Sequence, residues 1–201
     1  MRRWWMSIGL AACCLAQSAM AGTVLVVGDS ISAGFGLDPE HGWVSLLRQR
    51  VQAEGFKDQV VNASISGDTS AGGQARLPAL LSRHAPTLVV VELGGNDGLR
   101  GQPPRQLEKN LGHMIDAARA AGAKVVLLGM RLPPNYGVRY TTAFARVYED
   151  LARQKSVPLV PFFLEGVGGV PSLMQADGIH PAQGAQQRLL ENAWPVIKPL
   201  L

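Results

Sequence analysis

A three-layer α/β/α sandwich around a five-stranded parallel sheet is the fold that this 201-residue sequence predicts. Three observations carry the prediction. Five short runs rich in valine and leucine are near-continuously apolar, as strands buried on both faces are, whereas half-exposed strands would alternate. Amphipathic stretches at helical spacing separate those runs. No repeat, low-complexity tract or linker interrupts the alternation, so residues 22–201 form one domain. With 47% hydrophobic residues, the chain is long enough for one well-buried core.

Residues 1–21, MRRWWMSIGLAACCLAQSAMA, combine a basic start, an apolar middle and a small-x-small exit at Ala19-Met20-Ala21. That is the pattern of a secretory signal peptide cut before Gly22, and it implies a periplasmic or secreted protein. The segment is too short and too rich in small residues for a stable membrane span. Leu10-Ala11-Ala12-Cys13 also has the form of a lipoprotein acceptor, but the apolar stretch before Cys13 is very short and lipid anchoring there is not expected. Cys13 and Cys14 are the two cysteines of the chain. Cleavage after Ala21 removes both, and with them disulfides, thiol nucleophiles and cysteine-type zinc sites.

The first strand is VLVV (24–27), followed by Trp43, Leu46, Leu47 and Val51 at helical spacing. VVNA (60–63) is the second, with a shorter helical set in Leu77, Leu80 and Leu81. TLVVVEL (87–93) precedes Leu107, Leu111, Met114, Ile115 and Ala118. KVVLLGM (124–130) precedes Tyr140, Phe144, Val147, Tyr148 and Leu151. VPLVPFF (157–163) is the last strand. A final helix is expected from Pro181 to the C-terminus, since proline suits the first helical position.

The formal net charge of +4 falls to +2 without Arg2 and Arg3, and no Lys/Arg cluster marks a nucleic-acid footprint. The glycines lack the spacing of nucleotide-binding loops. His41, His84 and His113 are scattered without metal-ligand spacing, so no metal and no cofactor is expected. Asn62-Ala63-Ser64 matches a glycosylation pattern, but a buried strand end is a poor acceptor.

Ligands bind outside the C-terminal ends of parallel strands, near a topological switch point. The residues there are Gly28-Asp29-Ser30, then Asn62 to Asp68, then Gly94-Gly95-Asn96-Asp97, and, across a glycine-rich loop, Asp177-Gly178-Ile179-His180-Pro181. Acyl transfer by a serine needs a hydroxyl, a base, a group that orients the base, and donors for the oxyanion. Ser30 offers the hydroxyl and an N–H at a helix start. His180 offers the base, and Asp177 lies within one turn of its Nδ1. Gly67 allows a backbone N–H close to a ligand, and Asn96 offers a carboxamide. Each has a plainer reading as well: Ser30 as a helix cap, Asp177 and His180 as turn formers ahead of Pro181, Asn96 as a turn residue. Asp29 and Asp97 read as local hydrogen-bond acceptors that shape their turns.

GDSISAG, Gly67 in NASISGDTS, Asn96 in GGND and DGIHP together resemble the four blocks of the SGNH (GDSL-type) hydrolase superfamily. VVNASISGDTS, RLPALL, VELGGNDGLRG, RLPPNYG and VPLVPFF further resemble the bacterial periplasmic thioesterase I/protease I/lysophospholipase (arylesterase) family, through essentially the whole chain after the signal. The resemblance implies a flavodoxin-like α/β/α fold. It implies Ser30 as nucleophile, Asp177 and His180 as the rest of a triad, and Ser30 N–H, Gly67 N–H and the Asn96 amide as an oxyanion hole. The expected function is a secreted serine hydrolase of acyl esters, thioesters and lysophospholipids. A carbohydrate deacetylase or a non-catalytic binding module on the same scaffold are the alternatives. A monomer acting on small-molecule substrates, with no nucleic-acid partner, is expected. The loop Met130 to Gly137 should emerge near Ser30, where Leu132 and Pro133 would wall an acyl-chain groove.

Overall fold

In the computed structural model, β1 (Thr23–Gly28) is an interior strand of a parallel sheet of order β2-β1-β3-β4-β5. The structure describes residues 21–201, so the expected signal peptide, Cys13 included, lies outside the described residues but for Ala21. The other strands are β2 (Gln59–Asn62), β3 (Leu88–Glu92), β4 (Lys124–Leu128) and β5 (Leu159–Val160). The helices are α1 (Ser30–Ala33), α2 (Trp43–Ala53), α3 (Ser70–His84), α4 (Gly95–Leu99), α5 (Pro104–Ala120), α6 (Val138–Lys155) and α7 (Gln186–Ile197).

The path from β1 to β2 runs one way across the sheet, and every later crossover runs the other way. Right-handed connections then place α2 on one face and α3, α5 and α6 on the opposite face. The packing follows: α2 meets α7, whereas α3 meets α5 and α5 meets α6. Val24 to Val27 and Leu88 to Val91 are buried because helices cover both faces. Trp43, Leu47 and Val51 seal one face with Leu189, Ala193 and Ile197; Leu77, Leu107, Leu111, Met114, Phe144 and Leu151 seal the other.

Three expectations need correction. β5 is two residues long, because Pro158 and Pro161 bracket it and proline cannot donate to a ladder. Pairing nonetheless continues irregularly, with Phe163 N–H on Gly129 O at 2.8 Å. β2 is an edge strand, so Gln59 and Asn62 are exposed and Asn62 is not a buried strand end. Pro181 does not start the last helix. It pairs with Met174 in an isolated antiparallel bridge, and Ala182 N–H donates to Leu173 O, so the chain is extended here; a 3-10 turn over Gln183–Ala185 follows, and α7 begins at Gln186.

Candidate active site

The switch point of this strand order lies between β1 and β3, whose C-terminal ends are paired, Gly28 opposite Glu92. A side chain at position 28 has no room: its Cβ would lie 2.7 Å from Ser32 Oγ and 2.8 Å from Glu92 Oε2. Asp29 is the N-cap of α1, and its Oδ1 accepts from Ile31 N–H at 3.0 Å. The capping role therefore falls to Asp29, and the Ser30 hydroxyl is left for another partner. That partner is His180, with Nε2 2.8 Å from Ser30 Oγ.

His180 Nδ1 lies 2.6 Å from Asp177 Oδ2. Asp177 Oδ1 accepts from the N–H groups of Ile179 (2.9 Å) and His180 (3.0 Å). The hydrogen bond from the imidazole, then those two amides, hold the Asp177 carboxyl down at about 2. An ionised carboxylate only accepts, so the imidazole proton sits on Nδ1 and the Nε2 lone pair faces the serine hydroxyl. This Asp-His-Ser line is the geometry of a serine activated for attack.

Gly67 and Asn96 reach the same edge. Gly67 has φ +78, a conformation that favours glycine, and neither its N–H nor that of Ser30 bonds a backbone carbonyl among the described residues. Asn96 Nδ2 donates to Asp29 Oδ2 (3.1 Å) and to Asp68 O (2.9 Å). The carboxamide thus joins the loops after β1, β2 and β3, and a substrate oxygen would share one of its two hydrogens. Leu132 is half-buried and packs on Gly98, where a Cβ would collide with it, while Pro133 is exposed. Tyr136 Oη donates to Leu99 O at 3.1 Å, fastening that loop beside the Asn96 block.

Several residues of this edge carried no separate weight in the sequence. Glu92 is fully buried, with Oε2 2.6 Å from Ser32 Oγ, which also accepts from Trp43 Nε1 at 3.1 Å. An acid inside an apolar run was the available signal. Arg76 bonds Asp68 Oδ2 (2.7 Å), Ala63 O and Gly28 O, tying the Gly67 loop to β1. Nothing in the spacing of α3 marks it. Asp97 accepts from the Ser70 N–H and hydroxyl at the start of α3, so its contacts are long-range and not local. Asn62 uses its amide on Ser32 O at 2.8 Å. His41 and His113 are exposed, His84 is half-buried, and no group of metal-ligating side chains occurs among the described residues. A surface cavity of about 760 Å³ lies beside α5 and α6, lined by Lys109, His113, Asp116 and Lys155 among others, and includes none of the site residues.

Residues 26–188 match the model of the GDSL-like Lipase/Acylhydrolase family. The chain is 65% identical over 201 residues to Esterase TesA of Pseudomonas aeruginosa, covering all of both chains. It is 48% identical over 185 residues to Thioesterase 1/protease 1/lysophospholipase L1 of Escherichia coli K12, covering 92% of this chain and 88% of that one. A solved structure of the psychrotrophic esterase EstA from Pseudoalteromonas sp., inhibited by monoethylphosphonate, aligns with TM-score 0.84 and 40% identity over 89% of this chain and 97% of that chain. The matched span reaches from β1 into α7 and takes in all four loops of the site; this chain belongs to the GDSL-like lipase/acylhydrolase family and is a hydrolase.

Proposed function

We propose that the protein is an exported serine esterase and thioesterase of acyl esters, acyl-CoA-type thioesters and lysophospholipids, with Ser30 as nucleophile. The carrying observation is the Asp177–His180–Ser30 line, at 2.6 and 2.8 Å. Neutral His180 takes the Ser30 proton on Nε2 as Oγ bonds the acyl carbon. The carbonyl oxygen becomes an oxyanion between Ser30 N–H, Gly67 N–H and the Asn96 amide. Nε2 then gives the proton to the leaving oxygen or sulfur as its bond to carbon breaks. Water repeats the sequence on the acyl-enzyme, releasing the acid and restoring Ser30.

Turnover of p-nitrophenyl butyrate by Ser30→Ala and Asn96→Ala tests this. Ser30→Ala should lose turnover while keeping its fold. Asn96→Ala should lose roughly 10²–10³ in kcat, the usual effect of one oxyanion donor. Near wild-type turnover by Ser30→Ala would end the mechanism.

Leu132 and Pro133 are read as one wall of the acyl groove, supported by the place of Leu132 against Gly98, in α4, which also carries Asn96. Each buried methylene is worth up to about 0.8 kcal/mol, so kcat/KM should rise from acetyl to medium-chain esters and level off. Leu132→Ala should penalise long chains more than acetyl; equal losses across chain lengths would make the loop a support only. A signal peptide cut after Ala21 accounts for export, and N-terminal sequencing of the exported protein should begin at Gly22. The Asp177–His180–Ser30 contacts are complete within one copy of the chain, so the proposed chemistry requires no second copy.

A further inference from the structure

Phe35 is 50% exposed, and its ring lies on the His180 imidazole with centroids 4.6 Å apart and planes at 37°. A single exposed apolar side chain is ordinary; the place of this one is not. Its N–H donates to Ser30 O at 3.0 Å. Its carbonyl accepts from Gln175 Nε2 at 2.7 Å, and the same nitrogen donates to Pro181 O at 3.2 Å. Gln175 N–H donates to His180 O at 2.7 Å. Gln175 thus clamps the loop after Ser30 to the loop that carries His180. Gly36, at φ +74, gives that carboxamide its space, since a Cβ there would collide with Gln175 Oε1. The Phe35 backbone is therefore pinned beside the base, and the side chain stays half-exposed next to the imidazole.

The proton path fixes what that face meets. The leaving oxygen or sulfur must come within hydrogen-bond reach of His180 Nε2, about 3 Å, to receive its proton. The group attached to it then extends alongside the imidazole, against which the half-exposed Phe35 is packed. Leu132 and Gly67 lie on other loops, with the acyl chain and the oxyanion. We propose that Phe35 forms the leaving-group subsite, its ring packing against aryl or other flat apolar alcohol and thiol portions of the substrate. The proposal rests on the Ser30–His180 reading and adds to it a selectivity for the departing half of the ester.

The test compares phenyl butyrate with ethyl butyrate, the same acyl group on two leaving groups, in wild type, Phe35→Ala and Phe35→Tyr. Phe35→Ala should lower kcat/KM for the phenyl ester roughly three- to tenfold more than for the ethyl ester, the factor one aromatic contact supplies. Phe35→Tyr should restore it. Hydrolysis of the preformed butyryl-enzyme, followed by rapid quench, should be unchanged, because the leaving group has already departed. Equal losses on both esters, or slower butyryl-enzyme hydrolysis in step, would make Phe35 a prop for His180 and overturn the subsite. No effect on either ester would overturn it too. Retained turnover by Ser30→Ala would instead sink the underlying mechanism, whatever Phe35 does.

Discussion

Asp29 and Glu92 put two carboxyl groups into the core directly behind Ser30. Burial pushes Asp29 up to about 6, against the pull of the Ile31 N–H, the nearby His180 and the Asn96 amide. Burial, then the charge of Asp29, pushes Glu92 well above the ordinary range, while the Ser32 hydrogen bond pulls the other way. Both are raised acids, so the native state keeps protons that the unfolded chain has lost. Their contribution to stability is complete below the unfolded values, 3.8 for Asp29 and 4.5 for Glu92, and is lost as pH rises through the folded ones. Asp177 has the opposite sign: its contribution holds above 3.8 and is lost as pH falls towards 2. Glu92→Gln keeps a partner for Ser32 but cannot ionise. Its melting temperature should gain on wild type as pH rises from 5 to 8, by about 2–4 °C for each kcal/mol in a domain of this size. A gap that stays constant with pH would mean that Glu92 ionises as it does in the unfolded chain. At this scale the sequence singled out Ser30 and Asn96 just past the ends of β1 and β3, Gly67 in the loop after β2, and Asp177 and His180 across the glycine-rich loop that follows β5. It was not legible where a partner came from elsewhere in the chain, as Ser32 and Trp43 do for Glu92 or Gln175 for Phe35.

Elements aim these residues, and the turn between β3 and α4 shows how tightly. Gly94 adopts φ +119, and a Cβ there would collide with the Tyr148 hydroxyl and press on Leu107. That hydroxyl is itself committed, donating to Leu93 O at 2.9 Å. Gly94→Ala therefore meets both a disfavoured backbone and an overfilled space, and should cost roughly 2–4 kcal/mol of stability. Because Asn96 follows two residues later, kcat should drop with it, and urea unfolding alongside turnover of the folded fraction would read both. An unchanged kcat in the folded fraction would show that the turn absorbs the strain without moving Asn96. The strands and main helices could be read from periodicity because burial on two faces makes apolar runs and burial on one makes helical stripes. The hairpin-like stretch from Met174 to Ala182 could not. Its pairing is set by backbone bonds such as Gln175 N–H to His180 O, which leave no periodic trace, and Pro181 pointed towards a helix that begins five residues later.

Across the whole molecule, the order β2-β1-β3-β4-β5 gathers at one sheet edge loops from both halves of the chain, with Ser30 at one end of the sequence and His180 near the other. The C-terminal helix closes that arrangement. Gln186, buried at the start of α7, accepts from Trp43 N–H at 3.0 Å, a donor that the start of α2 leaves free. Its Nε2 donates to Ala182 O at 3.2 Å, two residues beyond His180. One carboxamide thus joins the start of α2 to the loop that carries His180. Leu189, one turn further along α7, is fully buried in the hydrophobic core. The two positions separate stability from alignment. Leu189→Ala should cost about 2–5 kcal/mol through the cavity it opens, with kcat of the folded enzyme preserved. Gln186→Ala should cost less, about 1–3 kcal/mol for the buried groups left unpaired, yet lower kcat by letting His180 drift from Ser30. Urea titration gives the first quantity, and turnover at a temperature where both variants are folded gives the second. Equal effects on kcat would mean that α7 serves the site only by holding the molecule together.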